Sequence, residues 1–329
     1  METISKTIPP EEDGATVRHI LKAHLHFSSH AISLLTRAEC GILVNGRHAR
    51  TVDILHTGDI LTVETGDHRP PKAAVVPGNW PLPILWEDGH LLVVNKPAGM
   101  TAHASNFLPD TPTVAGALAW HRGTAFIFHP VNRLDKGTTG LMVVAKSGYI
   151  HDLLRRQLHT QRFYREYRAI CLGRPTPSTG AIDAPIGRDE SSAVRRCIRP
   201  DGAAAVTHYQ VLDRFHGHSL VELELETGRT HQIRVHLSYL GYPILGDHLY
   251  CNGDPFAYRR LHGEQRDRMP CSARSAVDRN DDCPRACASA AKDGAARGQG
   301  GKEIVSDLID RQALHAFSLT LTHPVSGET

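Results

Sequence analysis

Three stretches of this chain read as strands by their alternation: FYREYRAICLG from Phe163, AVTHYQVLDRF from Ala205 and SLVELELETG from Ser219. A period of two sends successive side chains to opposite faces, which suits a sheet with one side buried. Only the short HGHS joint separates the last two, so they form a hairpin and must pair antiparallel. A second strand pair is expected around Asp88-Gly89 in ILWEDGHLLVVNKPAGM, running into the rigid Lys96-Pro97 corner, and GLMVVAK reads as a buried strand. Helices are fewer. Ser147 is placed to cap one whose Ile150, Leu153, Leu154 and Leu158 form a stripe. Thr230 is placed to cap another over HQIRVHLSYL, with Ile233, Leu237 and Leu240 as its stripe and Gly241 as its stop. Hairpin-linked strands outnumbering helices indicate an α+β fold with a mostly antiparallel or mixed sheet, not a doubly wound one.

This sheet domain occupies residues 84–329, and a small α/β module precedes it. Residues 1–16 are polar and acidic and are expected to be a flexible tail. Residues 17–64 carry two short helices, the second capped near Ser28-Ser29, then an Asn45-Gly46 turn and a closing strand. Residues 65–83, rich in Pro and Gly, read as a linker. From 252 to 306 the apolar periodicity vanishes among charges, Ala, Gly and Ser, as in a disordered insertion. Its Cys271, Cys283 and Cys287, with His262 nearby, match no common zinc spacing, and no metal is expected.

Composition excludes several classes. A formal charge of +2 is too small to signal a polyanion partner by itself, so any basic surface is local. No apolar run is long enough to span a bilayer, and the N-terminus lacks a signal core. Seven cysteines without a framework spacing fit reduced thiols, so a cytoplasmic location is expected.

The stretch VNRLDKGTTGLMVVAK, residues 131–146, is the candidate for chemistry. Asp135 sits between Arg133 and Lys136, ahead of a small-residue loop and a buried strand. Read alone, it is a turn carboxylate serving nearby backbone N–H groups. A phosphorylated aspartate of the ion-pump kind is rejected, because the residue order is scrambled and the apolar strand follows the aspartate. No phosphate-binding GxxxxGK[ST] loop exists anywhere in the chain.

HPVNRLDKGTTGLMVVAKS resembles the [HN]RLDxxTSGLLxxAK signature of the RluA-type pseudouridine synthases. EDGHLLVVNKPAGMTAH resembles that family's first motif, ETGRTHQIRVHLSYLGYPILGDHLY its third and LHAFSLTLTHPVSGE its closing strand. Together they cover residues 84–326 in the family's order, apart from the insertion. Residues 17–64 resemble the S4 RNA-binding fold, with His30 where an Arg is usual.

The resemblance implies an isomerase acting on uridines in structured RNA, with large-subunit ribosomal RNA the first expectation and transfer RNA the alternative. A non-catalytic RNA-binding protein is the rival from another class. Pseudouridine formation breaks the N1–C1′ bond, turns the uracil and rejoins it through C5, with no redox step and no external group; no cofactor is expected. It needs an ionised carboxylate at the ribose, acting as nucleophile or as base toward the 2′ proton. By resemblance Asp135 is that carboxylate, Arg229 the guanidinium that keeps it charged, and Tyr167 the ring beside the uracil. Arg133 matches the position that enters the space left by the flipped base. Arg18, Lys22 and Arg37 are expected RNA contacts in the N-terminal module, and the protein is expected to be a monomer. Six arginines between Arg155 and Arg174 add a further candidate phosphate-binding run. His231 and His236 are five apart with no HExxH, which argues against a metal site there.

Overall fold

The alternating segments form strands, and the strands fall into two compact units. The computed structural model describes residues 3–67, 75–104, 111–158, 160, 162–215, 217–250 and 309–329. One unit comprises Met1–Lys136, Gly140–Phe163 and Thr320–Thr329; the other comprises Gly137–Thr139 and Tyr164–Leu319.

The first unit opens with strand β1 (Thr3–Thr7), a 3-10 turn (Pro10–Glu12), α1 (Val17–Ala23), α2 (Ser29–Leu35), β2 (Ile42–Val44), β3 (Arg47–His48) and β4 (Ile60–Glu64). The strand order is β1-β4-β2-β3, with every pair antiparallel. Helices of seven residues are marginal alone. They persist here because Val17, Ile20 and Leu21 of α1 and Ile32 and Leu35 of α2 are buried. Thr16 and Ser28 cap them, accepting the N–H of His19 and Ala31. At the Asn45-Gly46 turn both residues take positive φ, 50° and 77°, as a tight hairpin of this kind requires.

The expected tail is instead structured. Thr3–Thr7 pair in register with Ile60–Glu64, and Glu12 is buried with Lys6 at 2.9 Å. Strand β1 escaped its sequence pattern because its residues stay exposed or half-exposed, so pairing is carried by the backbone and not by an apolar face.

Next in this unit come β5 (Ile84–Glu87), β6 (Leu91–Lys96), α3 (Val114–Arg122), β7 (His129–Pro130), β8 (Thr139–Ala145, whose first residue belongs to the other unit) and α4 (Gly148–Gln157). Strand β6 pairs antiparallel with β5 on one side and β8 on the other, and β7 lies on β8. Ser147 caps α4 by accepting the Ile150 N–H at 3.4 Å.

The N-terminal module is docked on α4. Phe27 stacks on Tyr149 with centroids 4.2 Å apart, the Tyr149 hydroxyl donates to Leu25 O, and Arg156 donates to His26 O. Burial raises the Tyr149 phenol to about 12, so it stays a donor. Asp67, in the expected linker, accepts from His129 Nε2 at 2.8 Å and from Gly148 N at 3.0 Å.

The second unit holds β9 (Phe163–Leu172, apart from its first residue), β10 (Thr179–Asp183), β11 (Ile186–Arg188), β12 (Arg196–Ile198), β13 (Val206–Phe215), β14 (His218–Leu225), α5 (Gln232–Leu240) and most of β15 (Leu314–Leu321). Its sheet runs β10-β13-β14-β9-β15, and the β13–β14 hairpin and the β14–β9 ladder are antiparallel. Strands dominate throughout the described residues, and β9 alternates along its whole length, odd positions inward.

Helix α5 departs from its one-stripe reading, since every residue from Gln232 to Leu240 is buried. The polar ones are satisfied internally: Arg234 holds Asp247 through two bonds of 2.7 and 2.9 Å, and Ser238 donates to Tyr250 O. The N-cap is His231 and not Thr230. The segment expected to be an insertion, 252–306, lies outside the described residues together with its cysteines and His262. Among the described residues no helix is long and apolar enough to cross a membrane.

Candidate active site

Asp135 lies in the loop between β7 and β8, within a stretch, 131–136, that is fastened on both sides. Upstream, Val131 N donates to Val143 O, and the buried Asn132 side chain bridges to β8, donating to Leu141 O and accepting from Val143 N at 2.8 Å. Asn132 thereby supplies from its side chain the pairing that its backbone, turning away, cannot. Leu134 is buried in the interior. Downstream, Lys136 O accepts the Gly99 N–H at 2.9 Å. Between these anchors Asp135 is half-buried and Arg133 is exposed. A carboxylate in such a loop is preorganised, because its backbone has few alternatives to sample.

Lys96 completes the clamp. Its side chain is 0% exposed, and Nζ donates to Pro97 O, Met100 O and Lys136 O at 2.9, 2.8 and 3.3 Å. A buried ammonium is tolerated only when its protons are so engaged. The sequence marked Lys96 only as part of a corner. Its phase was the available signal: Leu92, Val94 and Lys96 alternate inward along β6. Beside this loop, burial and then the Arg133 charge hold the His103 imidazole below its ordinary range.

Tyr167 lies on β9 opposite Leu223 of β14, on the strand's inward face with Phe163, Arg165, Ala169 and Cys171. Only 6% of it is exposed. Arg229 stands in the turn between β14 and α5, in the same unit as Tyr167, and is itself exposed. Its Nε donates to Ala204 O at 2.9 Å, and its backbone N–H goes to Gln232 Oε1. The turn closes on His231, which takes the left-handed conformation at φ 59°. That is unusual for a residue with a Cβ, although histidine tolerates it better than most. The Tyr250 hydroxyl secures it, lying 2.7 Å from His231 Nδ1 while accepting the Arg196 N–H.

The basic candidates divide. Arg18 and Lys22 project from the solvent side of α1 and, with Thr16 and His19, line a shallow concavity; Arg37, beyond the end of α2, is exposed but does not line it. The arginine run from 155 to 174 is not one phosphate-binding face. Arg156 is tied to His26 O, Arg165 is buried, and Arg168 pairs with Glu222 while lying 3.6 Å over the Phe317 ring. Alternation along β9 sends Arg165 and Arg168 to opposite sides, which a count of charges does not reveal.

Comparison with known proteins gives this arrangement its class. Residues 90–239, which include Asp135, Tyr167 and Arg229, match a family model described as RNA pseudouridylate synthase. The chain is therefore an enzyme of the RNA-isomerising class. It is 38% identical over 267 residues to the uncharacterized RNA pseudouridine synthase YhcT of Bacillus subtilis, covering 78% of this chain and 86% of that one. It is 36% identical to the ribosomal large subunit pseudouridine synthase D of Xanthomonas campestris, over 87% of this chain and 75% of that one. The enzyme of the same name from Neisseria meningitidis is 35% identical, over 99% and 77% respectively. The chain belongs to the RluA-like RNA pseudouridine synthases, and carries their mostly antiparallel fold.

Proposed function

We propose that this protein converts uridine to pseudouridine in large-subunit ribosomal RNA, in the cytoplasm and as a monomer. Asp135 acts as the catalytic carboxylate, either attacking C1′ or removing the 2′ proton. Arg229 keeps that carboxylate ionised in the working enzyme, and Tyr167 stacks on the uracil near C5, from which a proton leaves before N1 regains one. Arg133 fills the space of the flipped base, a step that costs a few kcal/mol of stacking. The N-terminal module is S4-like and contacts phosphates through Arg18, Lys22 and Arg37.

The fastening of the Asp135 loop carries this reading. A turn carboxylate with only a local role does not need a buried lysine, a bridging asparagine and a buried leucine around it. The ribosomal substrate is supported by the names of the relatives, and the module's role by the exposed cations of α1.

The test is release of tritium from RNA labelled at uridine C5, followed by mapping of pseudouridine in cells without the gene. Asp135→Asn is expected to abolish release while RNA affinity stays within a few-fold. Turnover above about a thousandth of wild type exceeds what general acid–base assistance alone supplies and removes Asp135 from the role. A missing pseudouridine in transfer RNA and none in ribosomal RNA would overturn the substrate assignment.

A further inference from the structure

We propose that Gln232 is a positioning residue for Arg229, acting through one directed chain of hydrogen bonds that begins at His236. This rests on the catalytic place given to Arg229 above.

The direction follows from donors and acceptors. Ala184 O can only accept, so the proton on His236 Nε2, 3.0 Å away, points at it. His236 is 0% exposed, and burial lowers its pKa to about 4, so the ring is neutral and Nδ1 carries a lone pair. That lone pair takes the Thr207 hydroxyl proton at 2.9 Å. With its proton committed, Thr207 Oγ1 accepts from Gln232 Nε2 at 2.9 Å, and the second amide proton of Gln232 goes to Val206 O at 2.9 Å.

Gln232 is then left with one orientation. Flipping its amide would set Oε1 against the Val206 carbonyl and against a hydroxyl whose proton is already used. Oε1 therefore faces the turn, where it accepts from Thr227 Oγ1 at 2.8 Å and from Arg229 N at 2.9 Å. Thr227 Oγ1 in turn accepts the Val206 N–H at 3.0 Å. Thr207 is 0% exposed and Gln232 3% exposed, so water does not substitute for these bonds. The chain runs from a neutral histidine inside α5 to the backbone of Arg229. Together with the Nε bond to Ala204 O it fixes both ends of that residue. The network therefore ends on the backbone of the arginine given the catalytic place above, while its side chain is held separately at Ala204 O.

Six variants test this, assayed in the full-length protein by tritium release at saturating RNA, with RNA Kd and circular dichroism measured alongside. Gln232→Met keeps the volume and removes the bonds. Its kcat is expected to fall by about 10²-fold, the loss typical of a misplacement near 1 Å, with Kd within twofold. Thr207→Ser keeps the hydroxyl and should hold kcat within threefold, whereas Thr207→Val should follow Gln232→Met; this pair decides the matter if Gln232→Met fails to fold. In an Arg229→Lys background, Gln232→Met should cost less than threefold more, because its effect passes through the arginine. Gln232→Met or Thr207→Val turning over within twofold of wild type, while Arg229→Met is inactive, overturns the inference. So does a loss that multiplies in full on Arg229→Lys. Wild-type turnover by Arg229→Met would instead sink the catalytic reading of the arginine, and the inference with it.

Discussion

His236 makes the folded protein sensitive to mild acid, by an amount that can be worked out. In the unfolded chain a histidine titrates near 6.5, whereas in the fold burial lowers His236 to about 4. The sign follows from proton uptake. Between these values the unfolded state binds a proton that the folded state refuses, so stability falls as the pH falls from about 6.5 toward 4 and is flat above and below. From pH 7.5 to 5.0 the two pKa values give a loss of about 2 kcal/mol from this one group. For a unit of this size that is a drop in Tm of about 4–8 °C. His103, His151 and His315 are also lowered, chiefly by burial, so the raw pH dependence sums several groups. A difference of differences isolates His236: denaturant melts of wild type and His236→Gln at both pH values. The variant will be weaker at each pH, since Ala184 O and Thr207 lose their partner. Its loss between the two pH values should nevertheless be smaller than wild type's by about 2 kcal/mol. Equal losses in both proteins would mean that His236 titrates as it does in the unfolded chain, and that burial in α5 does not lower it.

Three further perturbations separate the parts of the molecule. Phe27→Ala removes a buried ring stacked on Tyr149 and should cost about 3 kcal/mol or more, read as a fall in denaturant midpoint at unchanged slope. Combined Arg18→Glu and Lys22→Glu should weaken RNA binding several-fold and reduce the slope of log Kd against log salt by about 2, with kcat at saturating RNA unchanged; an unaltered slope removes α1 from the interface. Lys96→Met strands the Pro97 and Met100 carbonyls and loosens the loop carrying Asp135. Both Tm and kcat should fall, by about 2–4 kcal/mol in stability, and a stable but inactive protein would show the clamp to be purely positional.

What the sequence could reveal follows from which signals are local. Strand β9, the β13–β14 hairpin, the caps at Ser28 and Ser147 and the stop at Gly241 were all legible, because period and capping are set by neighbouring residues. Strand β1 was not. Its pairing partner is about sixty residues away, and it buries too little of itself to leave a pattern. Helix α5 was half legible: Ile233, Leu237 and Leu240 announce one face, while the burial of Arg234, His236 and Ser238 depends on Asp247, Thr207 and Tyr250, which no window around the helix contains.

The same division runs through the site. Asp135 and Arg229 stand out in the chain only through the strings around them that resemble the family's motifs. The residues that hold those loops look ordinary. Lys96 reads only as part of a corner until the phase of β6 turns it inward, and the Asn132 amide that pairs with β8 leaves no mark in the sequence pattern. Deleting the whole N-terminal module, the obvious test of an RNA-binding appendage, is compromised for a related reason. Tyr149 has only 9% of its surface exposed with Phe27 against it, so removing residues 17–64 would bare the face of α4 as well as discard the cations. A loss of activity in that deletion would then report destabilisation of the loop-bearing unit as readily as loss of RNA contact. The charge reversals at Arg18 and Lys22 leave that interface intact, and for this reason they, and not the deletion, bear on what the module binds.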